Sequence, residues 1–288
     1  MSLYEVACRS LWLDVVLGCG LVAFMDFLVT SPYMPMSRRH CVHESREKVL
    51  YEGPDSGTLI QHFRDHTCAT EGKDAVSVEG GAVLINRVSE YIFTNLGILG
   101  IPTYFIRRLN MREQLVSKVD LVPLEVMVHN LASGSLLSRL GLKEGSSLPR
   151  PVVEFYYNGC KNESSLVSEE HIIAFGWANP QEIEDIMLLA GRVNDFLSGL
   201  FLGVGIRVVN FKIEFGRLWE DEVVRIVVAD ELSPKKCLLW NFKKPSSNNL
   251  ATRTDLHSLE DIAETAVWVP VTYYEAACRL GIITADRN

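Results

Sequence analysis

Apolar and polar positions change rhythm several times along the chain. Residues 11–29, LWLDVVLGCGLVAFMDFLV, are almost continuously apolar and about as long as a membrane span. Asp14 and Asp26 lie inside that run. Each would cost roughly 2.5–3.5 kcal/mol near the centre of a spanning helix, which argues against an anchor. Thr58 to Asp65, TLIQHFRD, has the mixed character of a strand. Leu84, Val88, Tyr91, Ile92 and Leu96 then fall on one helical face. Gly97 and Gly100 stop that helix, and Pro102 opens an extended segment. Thr103 to Leu109 and Leu115 to Val119 read as strands around a polar turn, Asn110 to Glu113. Pro123 removes a backbone donor and biases its predecessor towards extended geometry. A lobe boundary is therefore expected at Asp120 to Pro123, with a strand resuming over Leu124 to Val128.

The second half carries one strong helix signal. Asn179 suits an N-cap, Pro180 the first helical position, and Glu182 completes a capping-box pattern. Ile183, Ile186, Met187, Ala190, Val193, Leu197 and Leu200 form the expected apolar stripe. The following GLFLGVG resembles a phosphate loop only superficially. It follows a helix and lacks the Lys-Ser/Thr pair, so it reads as a helix end and a turn. In IRVVNFKIEF, Ile206 to Phe215, strand alternation puts Val209, Phe211, Ile213 and Phe215 on one face. Asn210, Lys212 and Glu214 share the other. A second strand, Val223 to Ala229, ends in Asp230-Glu231, and a hairpin would return Asp230 alongside Asn210 to Glu214. Leu259 to Leu280 reads as helical with an interruption at Pro270.

With 288 residues, 48% hydrophobic and 22% charged, the chain is an ordinary globular protein of one or two domains. Its 28 basic against 36 acidic residues give a formal net charge of −8, which excludes a general nucleic-acid binder. A local basic pocket stays open. The seven cysteines are scattered without a CxxC pair, which fits a reducing cytosol and excludes a zinc ribbon. No internal repeat, nucleophile elbow, HExxH or EF-hand loop occurs.

Two places could carry chemistry. Glu214 and Asp230 on neighbouring strands, with Lys212, suit a Mg²⁺–nucleotide site, because magnesium takes a few carboxylate oxygens and shares the rest with phosphates and water. On pattern alone a solvated sheet face with a cross-strand ion pair is the better reading. Glu125, Met127 and His129 share a face of the preceding strand, where a lone histidine is usually a satisfied core or rim residue. Ala132-Ser133-Gly134-Ser135 opens a short helix, Leu136 to Leu140, as either a capping segment or an anion-binding one.

These segments together resemble the SAICAR synthetase family, from about Met36 to Leu256. The matching stretches are VLYEGPDSGTLIQHFRD, GIPTYFIRRLNMREQLV, LVPLEV, GSLLSRLGLKEG, VVEFYY, SEEHIIAFGWANPQEIEDIM, FKIEFGRL and VADELSP. The chain looks most similar to the alphaproteobacterial branch. The resemblance implies an α+β fold of two lobes: residues 1–36 form an extension outside the match, 37–120 a kinase-like antiparallel lobe, and 121–288 a larger α/β lobe with a C-terminal helix. Residues 1–35 are expected to be dispensable or to precede the natural start. It implies a cytoplasmic purine-biosynthesis ligase using ATP and Mg²⁺. The enzyme would join L-aspartate to the carboxylate of the imidazole ribonucleotide CAIR, giving SAICAR, ADP and phosphate. Beyond these small molecules it implies no nucleic-acid partner; a homo-oligomer stays open. Carried over position by position, Lys48, Glu125, Lys212, Glu214 and Asp230 would serve the nucleotide, Glu214 and Asp230 as Mg²⁺ ligands and Lys212 also as the catalytic residue. Asn130, Ser133, Gly134, Ser135 and Arg139 would serve the substrate, and the backbone near Val119 to Val122 the adenine.

The departures from the family pattern cluster in the same region. Gly-Lys-Ala-Lys is here Ser45-Arg46-Glu47-Lys48, and Asp-Ala-Thr-Ala-Phe-Asn is His66 to Glu71. A lysine is replaced by Gly81, an arginine by His129, an Asp-Pro by Ser164-Ser165 and an aspartate by Asn210. After Ser233-Pro234 an aspartate is replaced by Lys235 and an arginine by Leu238, and Asp-Arg-Phe-Arg by Leu250 to Arg253. Two readings follow: a working ligase with a substituted pocket, or an inactive relative that keeps the fold and acts as a binding or regulatory protein.

Overall fold

The structure, a computed structural model, describes residues 39–65, 67–68, 76–77, 80–159, 165–220, 222–243 and 267–284. The apolar run 11–29, the expected extension and the departures at 66, 69–71, 164 and 250–253 lie outside the described residues. No helix among the described residues is long and apolar enough to cross a membrane.

The first lobe is a five-stranded antiparallel sheet. Its strands are β1 (Cys41–Glu44), β2 (Lys48–Glu52), β3 (Thr58–Phe63), β6 (Phe105–Arg108) and β7 (Glu113–Ser117), in the order β1-β2-β3-β7-β6. A separate pair, β4 (Thr67–Cys68) and β5 (Val76–Ser77), precedes helix α1 (Gly81–Ile98). The expected helical face is the buried one: Leu84, Val88, Ile92 and Leu96 turn inward. Phe93 joins them, stacked on Phe105 and edge-on to Tyr104. The chain leaves α1 through Gly100, whose φ of 67° favours glycine. Glu113, expected in the turn, opens β7 instead. It is buried, and its carboxylate accepts from Arg39 at 2.7 Å and from the Asn110 side chain at 2.7 Å. Those bonds draw a polar residue into the strand.

The second lobe is a seven-stranded antiparallel sheet. It comprises β8 (Asp120–Leu131), β9 (Ser147–Tyr157), β10 (Ser165–Val167), β11 (Ile206–Glu220), β12 (Val223–Ala229), β13 (Cys237–Lys243) and β14 (Val267–Pro270). The order is β10-β9-β8-β11-β13-β14, with β12 also on β11. Among the described residues four helices accompany it: α2 (Ser135–Leu140), α3 (Glu169–Ala174), α4 (Pro180–Leu202) and α5 (Tyr273–Arg279). The capping box of α4 forms as expected, Asn179 and Glu182 exchanging side-chain and backbone bonds of 2.9 Å each. Its stripe differs slightly: Leu189 and Phe201 are buried, whereas Met187 is 38% exposed. Gly205, with φ of 73°, makes the turn into β11, so GLFLGVG is a helix end.

Three expectations need correction. Pro123 does not break the chain, since β8 runs unbroken through it. It sits at an irregularity in the pairing with β11, between Leu121↔Gly216 and Glu125↔Glu214, where a missing donor is tolerated. Val209 does not join Phe211, Ile213 and Phe215 in the main core. A bulge between Val208 and Asn210 puts Val208 there, and Val209 packs with Leu131 and Trp240. Lastly, Val267–Pro270 is a strand on β13 rather than helix, and α5 starts after Thr272, whose hydroxyl caps Glu275 N at 3.2 Å. Residues 259–266 lie outside the described residues.

One core joins the lobes. Leu59 and Val116 of the first sheet belong to the same buried cluster as Val126, Phe211 and Val228 of the second. Backbone bonds from Tyr104 N to Val228 O and from Val228 N to Pro102 O, both 2.9 Å, fix the junction.

Candidate functional site

The site grows from the way β11 divides its partners. Its first half pairs with β13 and its second with β12 on the same edge, while β8 lines the other edge. Chain 230–236 crosses the interval between them, from Ala229 opposite Glu214 to Cys237 opposite Phe211. The hairpin thus sets Asp230 beside Glu214, as expected, and farther from Asn210. Asp230 turns the chain with φ of 61°, a left-handed conformation uncommon outside glycine and more accessible to aspartate and asparagine. The crossing ends in a 3₁₀ turn, Pro234–Lys236.

Charges from both lobes meet there. Lys236 Nζ lies 3.0 Å from Glu214 Oε1 and 2.5 Å from Asp230 Oδ2. Lys48, arriving on β2, pairs with the other oxygen of Asp230. Burial, with the nearby Lys236 charge, lowers Lys48 to a pKa of about 8. Burial acts the same way on Lys236, but Glu214 and Glu231 outweigh it and hold its pKa above the ordinary lysine value. Lys235 Nζ contacts Glu47 Oε1 at 2.5 Å. Burial pushes the Glu47 pKa up, but the Lys235 bond and charge hold it below the ordinary value. Glu47 and Lys235, each a departure when read alone, are therefore a matched pair.

A cavity of about 260 Å³ opens beside this cluster along the polar face of β11. Lys212 lines it, paired with Glu125 at 2.7 Å, as do Ser133, Gly134 and Ser135. Asn210 donates to Ser133 Oγ at 2.8 Å and steadies the loop before α2. Glu154 organises the wall: Arg139 reaches it at 2.5 Å, Tyr156 at 2.9 Å and His129 at 3.2 Å. Burial raises the Glu154 pKa, but the bonds from Arg139 and Tyr156 outweigh it and keep it low. Burial lowers that of His129, which is 2% exposed.

The sequence-derived residues therefore fall into two neighbouring groups. Lys48, Glu214 and Asp230 meet at the lobe junction, and Glu125, Lys212, Ser133, Gly134 and Ser135 meet at the cavity. Arg139 does not line the cavity itself; it is tied to the lining residues His129 and Tyr156 through Glu154. Asn130 lies apart, donating to Asn194 of α4 at 2.8 Å. Sequence reasoning missed Lys236, Glu154 and Tyr156. The signal for Lys236 was a lysine pair directly after the acidic Asp230-Glu231 and the Ser-Pro turn.

A resident Mg²⁺ does not fit the donors as arranged. Such an ion needs carboxylate oxygens at about 2.0–2.1 Å. Glu214 and Asp230 both hold Lys236, and Asp230 also holds Lys48. Among the described residues, no group of three or more His, Cys, Asp or Glu side chains is placed to hold a metal ion.

Comparison with known proteins agrees with this architecture. The SAICAR synthetase family profile matches residues 41–265. The phosphoribosylaminoimidazole-succinocarboxamide synthase A of Bradyrhizobium diazoefficiens is 55% identical over 253 residues, 88% of this chain and 96% of that protein. The enzyme of Parvibaculum lavamentivorans is 53% identical over 249 residues, 86% of this chain and 94% of its own. Among solved structures, the synthase of Ehrlichia chaffeensis is 34% identical with a TM-score of 0.69, covering 85% of this chain and all 100% of its own. A SAICAR synthetase solved with ADP is 33% identical with a TM-score of 0.64, over 77% of this chain and 93% of that one. Matched by the family profile over most of its length and by relatives over nearly all of theirs, the chain belongs to the SAICAR synthetase family.

Proposed function

We propose that this chain is an ATP-dependent ligase of purine biosynthesis, acting in the cytoplasm. It converts CAIR, L-aspartate and ATP into SAICAR, ADP and phosphate. The observation that carries the reading is the adjacency of two sites: a lysine cluster at the lobe junction and a polar cavity sharing strand β11 with it. The first suits a polyphosphate and the second a small anionic acceptor. The ADP complex of the relative supports the nucleotide half.

ATP phosphates face Lys48 and Lys236 in this reading, with the adenine against the backbone of Val119 to Val122. CAIR occupies the cavity, its phosphate held by Ser133, Gly134 and Ser135, with Arg139 and Asn130 as further supports. A CAIR carboxylate oxygen attacks the γ-phosphorus, the bond to the β-phosphate oxygen breaks, and ADP leaves. The aspartate amine then attacks the acyl carbon, loses a proton, and expels phosphate as the amide forms. Lys212 stands between the two sites. Its ammonium offsets the negative charge of carboxylate and phosphoryl group as they approach, a contribution that preorganised charges make effectively.

An inactive relative is the second reading. It is favoured by His129, buried and of lowered pKa, and by Leu238, packed against the cluster of Leu131, Val209 and Trp240; the family has arginine at both positions. The Glu47–Lys235 pair weighs the other way, because a decaying pocket has no reason to keep two substitutions that neutralise each other. Steady-state ADP release by the full chain, with each substrate omitted in turn, separates the readings. The ligase requires CAIR, aspartate and ATP together and loses turnover in Lys212→Met. Release without CAIR or aspartate, or none at all from folded protein, contradicts it.

A further inference from the structure

The residue that the family pattern leaves unexplained is Lys236. Its ammonium touches the two carboxylates expected to hold the metal, Glu214 at 3.0 Å and Asp230 at 2.5 Å. Its position is built in. Ser233 and Pro234 before it are buried, its own N–H donates to Ser233 O at 3.0 Å, and Cys237 then enters β13. The Lys236 side chain is 17% exposed, so its head is held inside the cleft rather than swung over it. Lys48 closes the other side of Asp230. Two carboxylates and two ammonium groups meet here directly, with the buried Glu231 a further negative charge nearby, and a divalent ion entering between Glu214 and Asp230 would meet two cations. A polyphosphate, by contrast, would be attracted by both lysines. A lysine ammonium has three N–H donors. Two of those on Lys236 are directed at carboxylates, which leaves the third for a phosphate oxygen.

We propose that Lys236 is the resident cation of the nucleotide site. It bridges Glu214 and Asp230 where a divalent ion would bind and offers its remaining N–H to a nucleotide phosphate, so nucleotide binding here does not depend on Mg²⁺. The proposal rests on the reading of Glu214 and Asp230 as the carboxylates that face the nucleotide. It does not require turnover.

Calorimetric titration of the full chain with ADP, once in EDTA and once in excess Mg²⁺, tests it. The dissociation constants of the unsubstituted protein are expected to agree within about fivefold, and those of Lys236→Asn to tighten about tenfold or more with Mg²⁺, a difference of about 1.4 kcal/mol. Lys236→Gln provides a second variant of similar reach should the first not fold. Binding by the unsubstituted protein that tightens more than about fivefold with Mg²⁺ overturns the resident cation and leaves the nucleotide site standing. No ADP binding by folded protein in either buffer overturns the nucleotide reading beneath it.

Discussion

Asp230 is the residue on which the junction turns. It is 5% exposed, adopts a left-handed backbone, and separates two ammonium groups. Its replacement by asparagine keeps shape and backbone preference but leaves both lysines short of a counter-charge. Breaking a buried pair from one side costs about 3–5 kcal/mol. Asp230→Asn should therefore lower the unfolding free energy from urea titration by that order, and a loss below about 1 kcal/mol would mean that solvent already screens the pair. The wall residues predict a pH dependence. Burial lowers the pKa of His129 from 6.5, so the unfolded chain takes up this proton first. Stability therefore falls as pH drops below about 6.5. Glu154 is held below 4.5, and its contribution is lost only as pH falls further, through its folded value. Urea midpoints between about pH 7 and pH 3 should decline in that order, and His129→Gln should flatten the upper part; a parallel decline in the variant would place the effect elsewhere. At this scale Lys48, Glu214 and Asp230 were readable from strand alternation and motif. Lys236 was not, because its contacts depend on how the crossing at 230–236 folds back. The alternation also hid that Glu47 and Lys235, far apart in sequence, meet.

The divided strand β11 is the element that makes the site. Its alternation was legible as far as the bulge at Val208 to Asn210, and the β11–β12 hairpin as a whole. Its change of partner was not, since sequence period is the same whichever strand lies alongside. Gly216 marks the second irregularity, where β8 bends past Pro123. A Cβ there would stand 2.6 Å from a Val119 methyl and 2.9 Å from its Cβ, on the connection between the lobes. The backbone of β11 and that connection leave little room to yield. Gly216→Ala should destabilise by about 1–3 kcal/mol, the range for overpacking a closed site, with an unchanged denaturant slope. Unaltered stability would show that the connection is slack, and with it the proposed adenine position.

Across the described residues, the two lobes share one core, and ion pairs join them through Lys48 with Asp230 and Glu47 with Lys235. Fold class and family followed from long matched stretches, because scaffold segments carry the periodicities and glycines that the chain cannot do without. The pocket was harder to read: substitutions such as Glu47 or Lys235 have meaning only in pairs, and pairing is a property of the folded chain. The central claim is that this lobe junction still performs the ligation. Its most direct test uses CAIR labelled with ¹⁸O in the carboxylate, with ATP and L-aspartate, and mass analysis of both products. The account predicts SAICAR accompanied by phosphate carrying one labelled oxygen, since the carboxylate attacks phosphorus and that oxygen departs with it. Folded protein that forms no SAICAR, or SAICAR whose accompanying phosphate is unlabelled, would contradict it.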